Sequence, residues 1–492
     1  MGDIQRNVHR LASTRLLRGL MLVCGLALAL ACGSLLFWTP AVDWNSARLY
    51  PTFLLAGGIS PYVTSGSGPV TGWIYGPVMP LVYLPVVLAP TLTGAVMAAA
   101  GINLLVLVGP ALAIMRAAAR RLRLTRWEQV ALALVFGGSL AAVPVLRNYL
   151  RVVMVDQVAV ALTLVSCWFL ARATQERTRY AGGTAAALAM LAVWTKQTAI
   201  IVPLAQVFYL TCIRRDHAST RHYVFWLLGA GTAISGIFLA LFGLDSLVFN
   251  LWTVPGGHPM KPLAALPGNA LSLLAQSLPG LLAAWGLARA TRRAPPQPDA
   301  EFLRTLVEIL VAVAIALIPM NLVGANKTGG GSNSFHAVPL LLVAGFLALL
   351  GSAGWWRSRI APAGLALAGA GAALAGTFFL TRETPFRFSP APRLEAARLI
   401  AAQHPGRIYF PDNPLIVWWN EKKAHHFEDG VMYQALAGFP LSRTRYFEYL
   451  PPAPCLVVYP VNRAGPAALL LPGVRKIGTS DFYDLYIAPG GN

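Results

Sequence analysis

Eleven long apolar runs, broken by short arginine-bearing links, decide what this chain can fold into. They fall at about 16–39, 97–118, 127–146, 152–172, 180–195, 197–213, 223–243, 268–290, 302–322, 335–353 and 360–380. A helix of roughly 20 apolar residues crosses a bilayer core, and in lipid the backbone must satisfy its own hydrogen bonds, so each run is expected to be a spanning helix. Composition agrees. Only 12% of the 492 residues are charged and 56% are hydrophobic, against about a quarter charged in soluble domains. The net charge of +20 does not point to nucleic acid. The arginines sit in the links at residues 6–18, 116–126, 172–179, 214–221, 289–304 and 357–359, as the positive-inside rule places them on one face.

A twelfth apolar stretch, 77–95, carries Pro77, Pro80, Pro85 and Pro90, which argue against a plain spanning helix. Counted as a full span, it would invert every later basic link; read as re-entrant or juxtamembrane, it leaves all of them facing the cytoplasm. The expected topology is eleven spans, N-terminus inside and C-terminus outside. The apolar N-terminal run is long and lacks a small-x-small cleavage site, so it reads as a retained anchor. No CxxC or metal-finger spacing connects the five cysteines, and neither a disulfide nor a zinc framework is expected. After about residue 381 the chain becomes polar, with strand-like runs at 407–410, 455–459 and 483–487 and helical patterns at 394–403 and 431–436. The fold class is therefore mainly α: a polytopic bundle over 1–381, with a small extracytoplasmic α/β domain over 382–492.

The first outer loop, 40–76, is rich in Pro, Gly and Tyr and holds one acid, Asp43, beside Arg48, Tyr62 and Tyr75. A carboxylate at a lipid–water boundary can serve as a general base, or simply be a helix-end acid. Before residue 382 the expected outer face keeps only Arg48, Arg147, Arg151, Lys196, Lys261 and Lys327 as cations. Arg147 and Arg151 are four apart and share a face if helical, so they can clamp a phosphate; equally, Asp156 can pair with Arg151 structurally. Lys196, beside Gln197 at the tip of a helical hairpin, reads as a phosphate contact or as a snorkelling cation, and its depth favours the first. The loop 323–339 joins Lys327 to Gly329, Gly330, Gly331, Asn333 and His336; its backbone can cradle an anion, or merely flex. Asp245, His258 and Lys261 suggest no particular chemistry. The tail sequence His425, His426, Glu428, Asp429 reads as a solvated turn, not as metal ligands.

Taken together, the acid after the first span, G-x-x-P-Y (Gly58, Pro61, Tyr62), Y-x-P (Tyr75, Pro77), D-x-x-A-x-A-L from Asp156, T-K-Q-T around Lys196 and the glycine turn before a late span carry a resemblance. They resemble the bacterial polytopic glycosyltransferases of the GT-C superfamily, a group similar to protein O-mannosyltransferases and the lipid A aminoarabinose transferase. The resemblance implies a polyprenyl-phosphate-linked sugar donor and an envelope acceptor (glycan, lipid or protein) on the outer face of the bacterial inner membrane. It implies inverting attack with Asp43 as catalytic base and Arg147, Arg151, Lys196 and Lys327 on the donor phosphate. Arg48, Tyr62, Tyr75, Asp156, Gln197, Asn333 and His336 become candidate substrate contacts. No cofactor is expected: many GT-C members carry two acids in this loop, whereas Trp44 and Asn45 follow Asp43 here, which speaks against a divalent metal. Other classes compatible with these outer cations are a flippase for a lipid-linked saccharide and an O-antigen-type polymerase or ligase. The gathering of ionisable residues at one face, not along the depth of the spans, favours surface chemistry.

Overall fold

The computed structural model describes residues 2–176, 178–291, 298–352, 362–452, 454–461 and 474–488. Of the basic links, Arg177, Arg292, Arg293, Arg357 and Arg359 lie outside the described residues. All eleven apolar runs are helical. They correspond to α1 (Gly2–Trp38), α5 (Leu92–Arg121), α6 (Arg126–Ala142), α8 (Val155–Glu176), α9 (Arg179–Val193), α10 (Ile201–Phe208) with its flanking turns, α11 (His217–Phe242), α14 (Leu266–Thr291), α15 (Pro298–Asn326), α16 (Ala337–Gly351) and α17 (Pro362–Glu383). Among the described residues six helices are long and apolar enough to cross a membrane; α6 with α7 (Pro144–Arg151) makes a seventh if that bent pair is one span. The stretch 77–95 is no single helix: α4 (Val78–Val82) and a 3₁₀ turn, Leu84–Leu88, precede α5.

Local chemistry explains the helix ends. The Thr91 side chain accepts from the Gly94 N–H to start α5, and Thr125 with Glu128 forms a capping box on α6. The 89° bend between α6 and α7 follows from Pro144, which holds Val143 extended and interrupts the helical ladder. Small residues bring the helices together. A Cβ on Gly138 would lie 2.1 Å from the Ala372 carbonyl oxygen, so α6 and α17 touch backbone to backbone. Gly280 of α14 meets the Leu341 carbonyl of α16 in the same way.

The tail forms a four-stranded sheet in the order β1-β2-β4-β3, with β1 (Ile408–Tyr409) parallel to β2 (Cys455–Pro460). The strands β3 (Arg475–Thr479) and β4 (Tyr483–Ala488) complete it in antiparallel pairing. Helices α18 (Arg393–Gln403), α19 (Leu415–Glu421), α20 (Glu428–Leu436) and α21 (Arg443–Glu448) pack around the sheet. Its core is shared with the first outer loop. Leu49, Tyr50, Phe53, Leu54 and Trp73 lie in one buried cluster with Ile408, Phe410, Leu415, Ile416, Val458 and Tyr483. The turn at His425, His426, Glu428 and Asp429, expected to be solvated, is buried. It is the seam with the loop: the Phe427 N–H donates to the Val70 carbonyl at 2.8 Å, and the Val70 N–H donates to His426 Nδ1 at 2.9 Å. Gly72 (φ +68°) and Gly430 meet there so closely that a Cβ on Gly430 would lie 2.4 Å from Gly72 Cα.

Candidate active site

Three residues far apart in sequence meet behind the outer loop. Asp156 stands in the first turn of α8, Lys196 in the extended link after α9, and His336 immediately before α16. Lys196 Nζ and His336 Nε2 both lie 2.5 Å from Asp156 Oδ1, and all three side chains are buried. The first turn of a helix favours a carboxylate, and burial of its charge is tolerable because two partners share it. The alternative pairing of Asp156 with Arg151 does not occur.

In front of this triad lies a cavity of about 270 Å³, lined by Tyr75 from the first loop, Lys196 and Gln197 from the hairpin tip, and Leu251, Trp252 and His258 from the outer loop before α14. The glycine turn contributes Lys327 to Gly330 and Asn333, and the tail adds Tyr433. Cations and backbone amides thus face an aromatic wall, a lining suited to an anionic group carrying an apolar or ring-shaped substituent. Gly329 needs φ +78°, and a Cβ on Gly330 would fall 2.0 Å from the Gly324 carbonyl oxygen, so the turn requires glycine. Lys261, to which sequence assigned no chemistry, ties it down: its Nζ donates to the Ala325 carbonyl at 2.9 Å and the Gly330 carbonyl at 2.6 Å.

His258 was also unassigned, and here it is 7% exposed, 5.1 Å from the Tyr433 ring, with Nε2 buried and unbonded. Burial and then the neighbouring Lys327 charge hold its pKa below the usual histidine value, so it is a neutral imidazole facing the cavity. Burial likewise lowers the Lys327 pKa; its Nζ donates to the Pro255 carbonyl at 2.5 Å.

The remaining candidates divide. Gln197 Nε2 donates to the Ile74 and Leu251 carbonyls at 2.6 and 3.0 Å, and Tyr62 Oη to the Tyr75 carbonyl at 2.8 Å; both shape the wall. Arg48 is buried with its guanidinium 3.9 Å from the Trp44 ring and 5.5 Å from Tyr75. The Asn333 carbonyl accepts from Tyr149 Oη at 2.6 Å. Arg147 and Arg151, expected on a donor phosphate, do not line the cavity. They fork onto Glu383 at the end of α17, at 2.6 and 2.5 Å, and Arg147 also donates into the carbonyls of Ala141 and Ala142 that the α6–α7 bend frees. Their shared face does clamp an oxyanion, but it is the protein's own.

Asp43 also lies outside the cavity lining. It opens α2 (Asp43–Ala47), and its carboxylate is held by the tail: Arg393 Nε and Nη2 reach Oδ2 at 2.8 Å, and Tyr483 Oη donates to Oδ1 at 2.7 Å. Burial works against the Arg393 charge, yet Asp43 more than offsets it and the pKa is raised; burial and Asp43 push the Tyr483 phenol well up, so it stays a donor. Among the described residues no group of three or more His, Cys, Asp or Glu side chains is placed to hold a metal ion.

Residues 80–241 match the family model described as dolichyl-phosphate-mannose-protein mannosyltransferase. The fold is similar to that of ArnT from Cupriavidus metallidurans bound to undecaprenyl phosphate, with a TM-score of 0.59 and 14% identity over 95% of this chain and 97% of that one. The apo state of the same protein gives a TM-score of 0.39 at 13% identity, over 97% of this chain and 98% of that one. No curated protein is recognisably similar in sequence.

Proposed function

Taking the chain as a member of the GT-C superfamily of polytopic membrane glycosyltransferases, we propose that it moves a sugar from a polyprenyl-phosphate-linked donor to a hydroxyl of an envelope acceptor. Transfer occurs on the outer face of the bacterial inner membrane, with inversion at the anomeric carbon. The observation that carries this reading is the cavity itself. At the outer ends of α9 and α15 it combines Lys196, Lys327 and a glycine turn with the aromatic side chains of Tyr75, Trp252 and Tyr433. A lipid phosphate, as leaving group, needs stabilisation of the charge it takes up more than it needs a proton. Lys196 supplies that charge from a fixed position, because Asp156 and His336 restrain its partner network. Neutral His258 offers the sugar a ring nitrogen with no competing bond, and the aromatic rings offer faces for the sugar and the first isoprene units.

Asp43 is the proposed base, held in place by Arg393 and Tyr483. The acceptor hydroxyl then takes the place of one of these donors, so the tail and the acceptor compete for one carboxylate. Support for this role is its position as the acid of the first outer loop, one short helix before Arg48, whose guanidinium lies 5.5 Å from the Tyr75 ring.

The test is release of polyprenyl phosphate from polyprenyl-phosphate sugars in proteoliposomes supplied with an envelope extract. Lys196→Met is expected to lower turnover by about 10²–10³-fold, the range for losing one preorganised charge-stabilising group. Unchanged turnover in Lys196→Met would remove the cavity as the site of transfer. Movement of labelled lipid-linked sugar between leaflets without release would replace transfer by transport.

A further inference from the structure

At the C-terminal end of α5 lies a second, larger cavity, of about 720 Å³, between the last turns of α5, the first turns of α6 and the end of α16. Its rim carries Arg116, Arg120 and Arg126, all exposed, and its floor is the buried apolar surface of Leu132, Phe346 and Leu350. Arg116 and Arg120 are four apart and share a face of α5; Arg126 opens α6 across the cavity. Leu112, 38% exposed, continues the apolar floor toward the lipid-facing surface.

These three arginines differ from several others of the helical bundle. Arg121, Arg147, Arg151, Arg172 and Arg304 each hold a carboxylate. Among the described residues no ion pair involves Arg116, Arg120 or Arg126, and the nearby acids are engaged elsewhere. Glu128 accepts from the Thr125 N–H and hydroxyl at 2.7 and 2.9 Å, and Glu176 binds Arg121 and Arg172. Three cations over an apolar floor call for an anion with an apolar body. The 30 residues of α5 extend about 45 Å, which is the bilayer thickness with its headgroups, so this rim sits at the interface away from the candidate active site.

We propose that this cavity binds an anionic phospholipid of the leaflet opposite the site of transfer. Its phosphate lies on Arg116, Arg120 and Arg126, and its acyl chains run along Leu112 over the floor, as basic pockets between spans accommodate acidic headgroups. The site is independent of the proposed transfer.

The experiment is native mass spectrometry of the full chain, released from nanodiscs containing phosphatidylglycerol, cardiolipin and phosphatidylethanolamine. Wild type retains the anionic lipids in preference to the neutral one. Arg116→Gln with Arg120→Gln weakens that retention by roughly 30-fold, the effect of two interfacial arginines. Ala133→Phe, which fills the cavity and leaves every charge in place, abolishes it as well. The charge-matched control Arg215→Gln with Arg221→Gln, on another basic link, retains lipid as wild type does. Equal loss in the control and the cavity variants would mean diffuse attraction and overturn the site, as would retention unaffected by Ala133→Phe. Displacement of the lipid by millimolar inorganic phosphate would assign the rim to a soluble anion instead.

Discussion

Asp43 joins the two ends of the chain, and Asp43→Asn keeps its shape while removing its charge. In the wild type one carboxylate accepts a two-toothed contact from Arg393 at 2.8 Å and a hydroxyl from Tyr483 at 2.7 Å, with side chains 24% and 11% exposed for Arg393 and Asp43. The gross attraction of such a pair is about 4 kcal/mol near a surface, and the net value of a charged hydrogen bond is about 1.5–3 kcal/mol. Partial exposure of Arg393 screens it, so about 2 kcal/mol is the expected cost to docking of the tail. That corresponds to a roughly 30-fold rise in the open population. Hydrogen exchange of the α18 and β4 amides in nanodiscs reads this directly. Arg393→Met is expected to give the same change, and the double variant little more than either single, because both remove one interaction. A rise of less than about threefold in Asp43→Asn, or fully additive singles, would refute the joint. The same two variants separate joint from base. If Asp43 takes the acceptor proton, Asp43→Asn abolishes transfer while Arg393→Met, equally loosened, retains most of it. Parallel losses would leave Asp43 structural.

The buried triad gives a second expectation: Lys196→Met leaves Asp156 with only His336 and lowers stability by about 3 kcal/mol, read as a fall in the thermal midpoint that Asp156→Asn partly restores. The third concerns pH. Burial depresses the His426 pKa to about 4, so between 6.5 and 4 the unfolded tail binds a proton that the folded tail does not. Stability is therefore full above pH 6.5 and falls as the pH drops toward 4, by up to about 3 kcal/mol; tail protection measured from pH 7.5 to 4.5 follows this slope, and His426→Gln flattens it. Fourth, Gly430→Ala puts a methyl 2.4 Å from Gly72 Cα and costs about 2 kcal/mol or more of tail docking. Gly371→Ala, in α17 with nothing within 4 Å, is neutral or stabilising; thermal unfolding of the two variants compares them.

What was legible in the sequence was periodicity and the points where it breaks. The apolar runs announced the helices, the prolines of 77–95 announced a stretch that forms no single long helix, and the isolation of Lys196 between two short runs announced a buried charge. Choices made by distant partners were not legible. Arg147 and Arg151 carry the pattern of an oxyanion clamp, but nothing local says that Glu383, more than two hundred residues on, fills it. Asp43 stands alone in its loop, yet its partners are Arg393 and Tyr483. His258 looks like a loop residue until Lys327 and Tyr433 surround it, and the His425–Asp429 turn looks polar because its covering, Val70 to Gly72, comes from the other end of the chain. β3, mostly exposed and bulged between Lys476 and Gly478, has too little apolar alternation to be read as a strand.

The closure between Asp43 and the tail spans 350 residues to Arg393 and 440 to Tyr483. A chain made from its N-terminus delivers Asp43 440 residues before the Tyr483 that covers it. Throughout synthesis and insertion of every later helix, Tyr50, Val70 and Trp73 therefore wait without the surfaces that bury them. Loop closure over so long a separation is slow and gains nothing until its final contacts form. The first loop is thus completed only when β4 has paired, so a ribosome that stalls before residue 483 releases a chain whose first loop is still uncovered. Burial of the first loop and pairing of β4 become one event.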